Sequence, residues 1–232
     1  MRRMTLPVML FAAGFGTRMG ALTATRPKPL IEVAGRALID HALDLVDAHA
    51  PPRVVVNLHY LPEQIRAHLR GRDVRFSHET PGILETGGGL RAALPLLGPG
   101  PVLTMNTDAI WRGPNPLTLL APLWDRARMD ALLLCIPPQN AIGHAGAGDF
   151  TLGDDDRLSR GPGLVYSGVQ IIAPEPLHAI PETGFSLNRV WDRIAERGRL
   201  FGAVYPGQWC DVGRPEGIAL AEDLLGYGHV RD

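Results

Sequence analysis

The sequence predicts an α/β fold with a mainly parallel sheet flanked by helices on both faces. Three observations lead there. Apolar runs without polar alternation, "PVMLFAA", "RVVVNL", "PVLTMN" and "DALLLCIP", read as strands buried on both faces. Helical patterns lie between them, and strands alternating with helices imply βαβ units. Hydrophobic residues make up 45% of 232 residues, enough to fill a sizeable core.

Taken in order, "PVMLFAA" is the first strand and runs into the glycine-rich "GFGTRMG". Arg36 to Ala48 follows as a helix, with Leu38, Ile39, Ala42, Leu43 and Val46 on one face. "LPEQIRAHLRG" and "GLRAALPLLG" are shorter helices that close near a glycine. "ETGGGL" reads as a glycine turn opening the second of them, and "PVLTMNTDAIW" carries a central strand. "NPLTLLAPLWDRA" has a helical pattern interrupted by Pro122. Beyond "DALLLCIP" the character changes. "GDFTLGDDDRLSRG" has two short alternating runs around an acidic tip and predicts a β-hairpin. "GLVYSGVQII" and "RLFGAVYP" are strands. Between them "SLNRVWDRIAERG" is an amphipathic helix with Ser186 as its cap, and a final helix spans Pro215 to Leu225. With no linker or repeat, the expectation is one Rossmann-like domain over 1–232 with a small β-rich insertion. Residues from about 136 onward differ in character from those up to about 135.

Composition narrows the function. Lys plus Arg total 23 against 24 acidic residues, a formal net charge of −1, so there is no basic excess for a nucleic-acid backbone. An anionic partner would be met locally, as a small ligand. Cys135 and Cys210 have no metal-ligand spacing and form no disulfide framework. The opening arginines and apolar residues pass directly into a glycine loop, too short a run for a signal peptide. No stretch reaches membrane-spanning length, and the expected setting is the cytoplasm.

The loop after the first strand is the densest signal. Gly14, Gly16 and Gly20 allow positive φ and close approach of a ligand, and their exposed N–H groups suit an anion. Arg18 adds a planar cation and Thr17 a hydroxyl. It is not a P-loop, since no Gly-Lys-Ser/Thr ends it. Nor is it G-x-G-x-x-G, because Met19 stands at the last glycine. Pro27 and Pro29 restrict the backbone on both sides of Lys28, lowering the entropy lost on positioning that side chain.

"AAGFGTRMGALTATRPKPL", followed in order by "VAGRALIDHAL", "ETGGGL", "NTD" and "CDVG", resembles the nucleotidyltransferases that join a sugar 1-phosphate to a nucleoside triphosphate. Within them the chain looks most like the short, stand-alone uridylyltransferases of peptidoglycan recycling, which act on N-acetylmuramate 1-phosphate. Ala21, Ala37 and Thr107 depart from the family pattern at loop positions, without loss of a charged group.

The resemblance implies roles. Arg18 holds the β- and γ-phosphates, and Lys28 reaches the α-phosphate and the sugar phosphate. Asp108 and Asp211 hold Mg2+. Ala13, Gly14, Gly16, Thr17, Glu79, Gly87 and Asn106 bind the nucleotide, Glu79 and the glycine turn reading the base. Asp149, Ser167 and Gly168 bind the sugar, in the β-rich insertion. About 1–135 forms the nucleotide part, and about 136–232 binds the sugar and completes the metal site. The substrates are an NTP, UTP by preference, and a sugar 1-phosphate, handled by a monomer or homodimer without nucleic acid or membrane. Two alternatives remain open. One is another base and sugar, as in a mannose-1-phosphate guanylyltransferase or a heptose or phosphocholine relative. The other is a non-catalytic nucleotide-sugar-binding regulator, disfavoured because Arg18, Lys28 and both aspartates are present. Longer relatives carry an acyltransferase domain, which is not expected here. The acidic "GDDDRL" reads as a solvated hairpin tip, and His59, His68 and His144 as surface or packing residues. Trp124 and Trp191 belong to the core; Trp111 and Trp209, beside the proposed metal ligands, fit either core or cleft wall.

Overall fold

A computed structural model describes residues 5–227. In chain order it contains β1 (Val8–Phe11), a hairpin of β2 (Glu32–Val33) and β3 (Arg36–Ala37), α1 (Leu38–His49), β4 (Val54–Leu58) and α2 (Pro62–His68). There follow β5 (Arg75–His78), α3 (Glu85–Leu97), β6 (Val102–Asn106), β7 (Ala109–Arg112), α4 (Pro116–Leu120), β8 (Ala131–Ile136) and β9 (Ala141–Ile142). The remainder is β10 (Phe150–Leu152), β11 (Leu158–Arg160), β12 (Val165–Ile172), α5 (Glu175–His178), α6 (Leu187–Glu196), β13 (Leu200–Val204), β14 (Gln208–Asp211) and α7 (Glu216–Leu224).

Seven strands form the central sheet in the order β13-β8-β12-β6-β1-β4-β5. Every pairing is parallel except those of β12, which runs antiparallel to both β6 and β8. The sheet is therefore mainly parallel, as expected. β8 also pairs with two strands of the second part, so both parts share one sheet.

Helices cover both faces because each strand sends alternate residues to opposite sides. Leu103 and Met105 of β6 pack in a core with Ile39, Leu43 and Val46 of α1 and Leu117 of α4. Val102 faces the other way, into a core with Leu90 and Leu94 of α3 and Val190 and Ile194 of α6. Trp111 and Trp209 pair across β7 and β14 and pack with the first core, which favours packing of the two readings open for them. Among the described residues no helix is long and apolar enough to cross a membrane.

Several elements differ from the sequence expectation, each for a local reason. Arg36–Ala37 pairs with Glu32–Val33 before α1 begins. The "NPLTLLAPLWDRA" helix is only α4, extended by a tight turn at Ala121–Leu123, because Pro122 lacks the N–H a longer helix needs. Asn115 caps α4, its side-chain oxygen accepting from Leu117 and Thr118 N–H at 3.0 and 3.2 Å. Ser186 caps α6 as expected, accepting from Asn188 N–H at 3.2 Å. "PVLTMNTDAIW" breaks into β6 and β7 at Thr107–Asp108.

Candidate active site

Register sets the site. Phe11 of β1 lies opposite Asn57 of β4 on one side and Asn106 of β6 on the other, so three parallel strands end in one row. Ligands of open α/β sheets gather beyond such carboxyl ends. Here a cavity of about 240 Å3 opens there, lined among others by Ala13, Gly14, Gly16, Lys28, Asn106 and Asp108.

The glycine loop bends at Gly16, whose φ of 65° lies in the left-handed region. A Cβ there would sit 2.9 Å from both Lys28 Cβ and Thr23 Cγ2, so only glycine lets the lysine segment pack this closely. Thr23 donates its hydroxyl to the Gly16 carbonyl at 3.0 Å, and Tyr60 pins the Thr23 carbonyl at 2.8 Å. Pro27 is extended (φ −68°, ψ 144°), and Lys28 starts a single tight turn. The result is a lysine only 8% exposed, its Nζ 2.6 Å from Asp108 Oδ2. A buried lysine held to a carboxylate is a strong, oriented point charge.

The second aspartate arrives from far along the chain. β14 pairs antiparallel with β7, setting Asp211 opposite Ala109, and Val212 N–H donates to the Asp108 carbonyl at 2.9 Å. Burial pushes the Asp211 carboxyl above its ordinary range. The Asp108 carboxylate adds to that, while Lys28, Arg18 and His144 pull it down. Arg18 and Thr17 are exposed and are not among the residues lining the cavity, although the Arg18 charge reaches Asp211. Two cations near the start of the chain and two distant carboxylates thus occupy one neighbourhood. Among the described residues there is no group of three or more His, Cys, Asp or Glu side chains that could hold a metal by themselves. A hard cation that takes one or two protein carboxylates and completes its shell with phosphate oxygens suits this pair. It would also relieve the repulsion that raises Asp211.

Other expected residues take different places. Glu79 lines the cavity but is 1% exposed. Its two oxygens accept from Asn57 Nδ2 and Leu84 N–H, each at 2.7 Å. Asn57 Oδ1 in turn accepts from Ala12 N–H at 2.7 Å. Glu79 is therefore committed to holding the wall, instead of presenting a free base-reading carboxylate. Gly87 does not line the cavity. α3 starts before the glycines, and Gly87 and Gly88 N–H both donate to the Phe185 carbonyl, at 2.8 and 3.0 Å. Cβ atoms at Gly87, Gly88 and Gly89 would strike Phe185, the Thr183 carbonyl and Glu79, so the triplet serves close packing.

A second cavity of about 240 Å3 adjoins the first, sharing Phe11, Thr86 and Asn106 with it. Each alone falls below the roughly 300–1,000 Å3 of small-molecule sites, so a large ligand would span both. Asp149 lines the second cavity, with Arg160, Tyr166, Asn188 and Trp191. Ser167 and Gly168 do not. Ser167 is 1% exposed, and its hydroxyl donates to the Leu134 carbonyl at 2.7 Å while accepting from Val169 N–H at 3.2 Å. Gly168, at φ 85°, lies behind Asn106, whose side-chain carbons stand 2.8–2.9 Å from where a Cβ would be. Both shape the bulge in β12, where the register shifts between Tyr166 and Gln170.

Residues 8–155 match the model of the MobA-like NTP transferase domain. An N-acetylmuramate α-1-phosphate uridylyltransferase of Caulobacter vibrioides is 42% identical, the alignment covering 94% of this chain and 96% of that protein. The chain belongs to this family. A second uridylyltransferase of the same name, from Neisseria meningitidis serogroup B, is 33% identical over 95% of this chain and 99% of its own. The crystal structure of HddC from Yersinia pseudotuberculosis complexed with GMP-PN superposes with a TM-score of 0.78. It covers 95% of this chain and 100% of that one at 19% identity, a likeness of fold.

Five further residues line the cavities without having stood out in the sequence: Asn57, Thr86, Arg160, Tyr166 and Asn188. Asn57 had a signal, a lone polar residue inside the apolar run "RVVVNL". The others sit on a hairpin, a strand and helix starts where polar residues are ordinary. His59 and His68 have partners: His59 Nδ1 meets the Glu79 carbonyl at 2.9 Å, and His68 Nε2 meets Asp40 at 3.0 Å.

Proposed function

We propose that the protein transfers UMP from UTP to N-acetylmuramate 1-phosphate, releasing pyrophosphate, in the cytoplasm. One observation carries the reading: Lys28, Arg18, Asp108 and Asp211 converge beside a cavity that continues into a second one. The two uridylyltransferases similar over nearly the whole chain support the base and the sugar.

In the reaction an oxygen of the sugar phosphate attacks the α-phosphorus of UTP. The new P–O bond forms as the α–β bridging bond breaks, and pyrophosphate leaves with that electron pair. The attacking phosphate is ionised near neutral pH, so no histidine base is needed. What the protein supplies is position and countercharge. Gly14 and Gly16 let the triphosphate approach the backbone. Arg18 neutralises the leaving phosphates, and Lys28, pre-oriented by Asp108, faces the charge that accumulates at the α-phosphoryl group. Mg2+, held by Asp108 and Asp211, would supply charge neutralisation and a template for the phosphate oxygens. Asn106 lies in the wall common to both cavities and would orient the sugar phosphate against the nucleotide.

The test is pyrophosphate release from purified protein given each NTP with a panel of sugar 1-phosphates. UTP with N-acetylmuramate 1-phosphate should give the highest kcat/KM, and chelation of the metal should abolish turnover until Mg2+ is restored. Preference for GTP with mannose 1-phosphate would replace this reading.

A further inference from the structure

The second cavity holds one feature that the reaction does not explain. Of the residues lining it, Asp149 is the only acid and Arg160 the only base. Asp149 Oδ2 accepts from Tyr166 N–H at 2.8 Å, which fixes the carboxylate and leaves its other oxygen to accept from a sugar hydroxyl or acetamido N–H. Arg160 is fixed more firmly. Its Nε donates to Asp192 Oδ1 at 2.8 Å, and its Nη2 to the carbonyl and Oδ1 of Asn188, at 3.2 and 2.9 Å. Its guanidinium lies 4.7 Å from the centre of the Phe150 ring and 5.6 Å from that of Trp191. Three of the five N–H donors are thus used for positioning, and among the described residues Nη1 keeps two without a partner. A planar cation, clamped on two sides and stacked on aromatic rings, is the form of arginine suited to a carboxylate.

Resting on the substrate reading above, we propose that Arg160 recognises the sugar's own carboxylate. N-acetylmuramate 1-phosphate is an N-acetylhexosamine phosphate whose lactyl ether ends in a carboxylate, ionised at neutral pH. An N-acetylhexosamine 1-phosphate without the lactyl group has no charge on its sugar ring, which needs hydrogen-bond partners from this cavity but no fixed cation. Arg160 therefore selects the acidic sugar over its neutral relatives, while Asp149 serves features common to both. Asp192 and Asn188 act on the substrate only through Arg160, as positioning residues. A mere tether between β11 and α6 would explain the clamp, but would give no reason for a sugar's charge to matter.

The experiment compares N-acetylmuramate 1-phosphate with the analogue whose lactyl carboxylate is a carboxamide, using UTP and Mg2+. It is run on the wild type, Arg160→Met and Arg160→Lys, and the KM for UTP reports an intact nucleotide side. The wild type should prefer the acid by about ten- to hundredfold in kcat/KM, as expected for one charged hydrogen-bond pair, with the difference in KM. In Arg160→Met the preference should shrink to within about twofold, because kcat/KM falls much further for the acid than for the amide. Arg160→Lys, which keeps the charge and loses the fork, should retain part of the preference. If the folded variants keep the full wild-type preference, or lose activity equally on acid and amide, Arg160 is only a tether and the proposal fails. If the wild type turns over another sugar 1-phosphate but not N-acetylmuramate 1-phosphate, the substrate reading itself has failed, and this inference with it.

Discussion

The first cavity takes its walls from strand ends in register and from a glycine loop locked against a proline-flanked lysine. The second borrows side chains from a hairpin, a bulged strand and the start of α6. In the first, the backbone does much of the work: Gly16 at positive φ, Phe11 aligned with Asn57 and Asn106, β7 and β14 placing two aspartates together. In the second, the backbone irregularity is the β12 bulge, and the shape depends mainly on which side chains the elements carry. Chemistry shared by every triphosphate needs the geometry of the first kind. On the proposed reading, selection among sugars would fall to the exchangeable side chains that line the second cavity.

The largest effect should come from Lys28→Ala. On the proposed mechanism the substitution removes the countercharge from the reacting phosphoryl group, and kcat should fall about 10²–10³-fold, the usual loss for one pre-oriented electrostatic donor. UTP binding, read by calorimetry, should persist through Arg18 and the glycine loop. Unchanged turnover would break the comparison outright, since the first cavity would then hold no catalytic charge.

Glu79→Gln tests the wall of the same cavity. Asn57 cannot turn over to help, because its Oδ1 is already engaged by Ala12 N–H. The new amide would therefore set an N–H against either Asn57 Nδ2 or Leu84 N–H, costing roughly 1–3 kcal/mol in denaturant unfolding. The KM for UTP should rise while that for the sugar phosphate stays. If Glu79 instead read the base without holding the wall, KM for UTP would rise at unaltered stability.

Gly16→Ala sharpens the same point at the loop. The left-handed backbone alone costs an alanine about 1–2 kcal/mol, and the new Cβ presses on Lys28 and Thr23. Stability should drop by at least that amount and kcat with it, as the lysine is displaced. A thermal melt together with steady-state rates reads both. Retained kcat at reduced stability would uncouple the loop from the lysine.

How much was legible follows the same division. Asp108, Asp211, Lys28 and Gly16 stand in short motifs whose residue types have few substitutes for their task. β12, by contrast, was readable as a strand, but its antiparallel direction and its bulge depend on which neighbours it meets. Gly87 shows the opposite hazard. Three glycines opening a helix read equally well as a surface for a flat ligand or as room for a crossing chain, and only the position of Phe185 decides. Arg160 was invisible for a third reason: an arginine near an acidic hairpin tip looks solvated until Asn188, Asp192 and Trp191 come together around it.

Ser167→Ala should have the smallest effect. A serine beside a glycine in a sugar-side strand invites assignment to the sugar, and that assignment predicts a raised KM for the sugar 1-phosphate. The hydroxyl, however, is buried between two backbone groups of the sheet, giving its proton to Leu134 and accepting from Val169. Alanine leaves both without that partner at the β12 bulge, a cost of about 1 kcal/mol in urea unfolding. Asn106 is buttressed by Gly168, which alanine at 167 leaves in place. The KM for the sugar phosphate should therefore hold while the unfolding midpoint falls. A raised KM at unchanged stability would return Ser167 to the cavity, and would mean that the second site also relies on backbone-anchored residues of the kind that build the first.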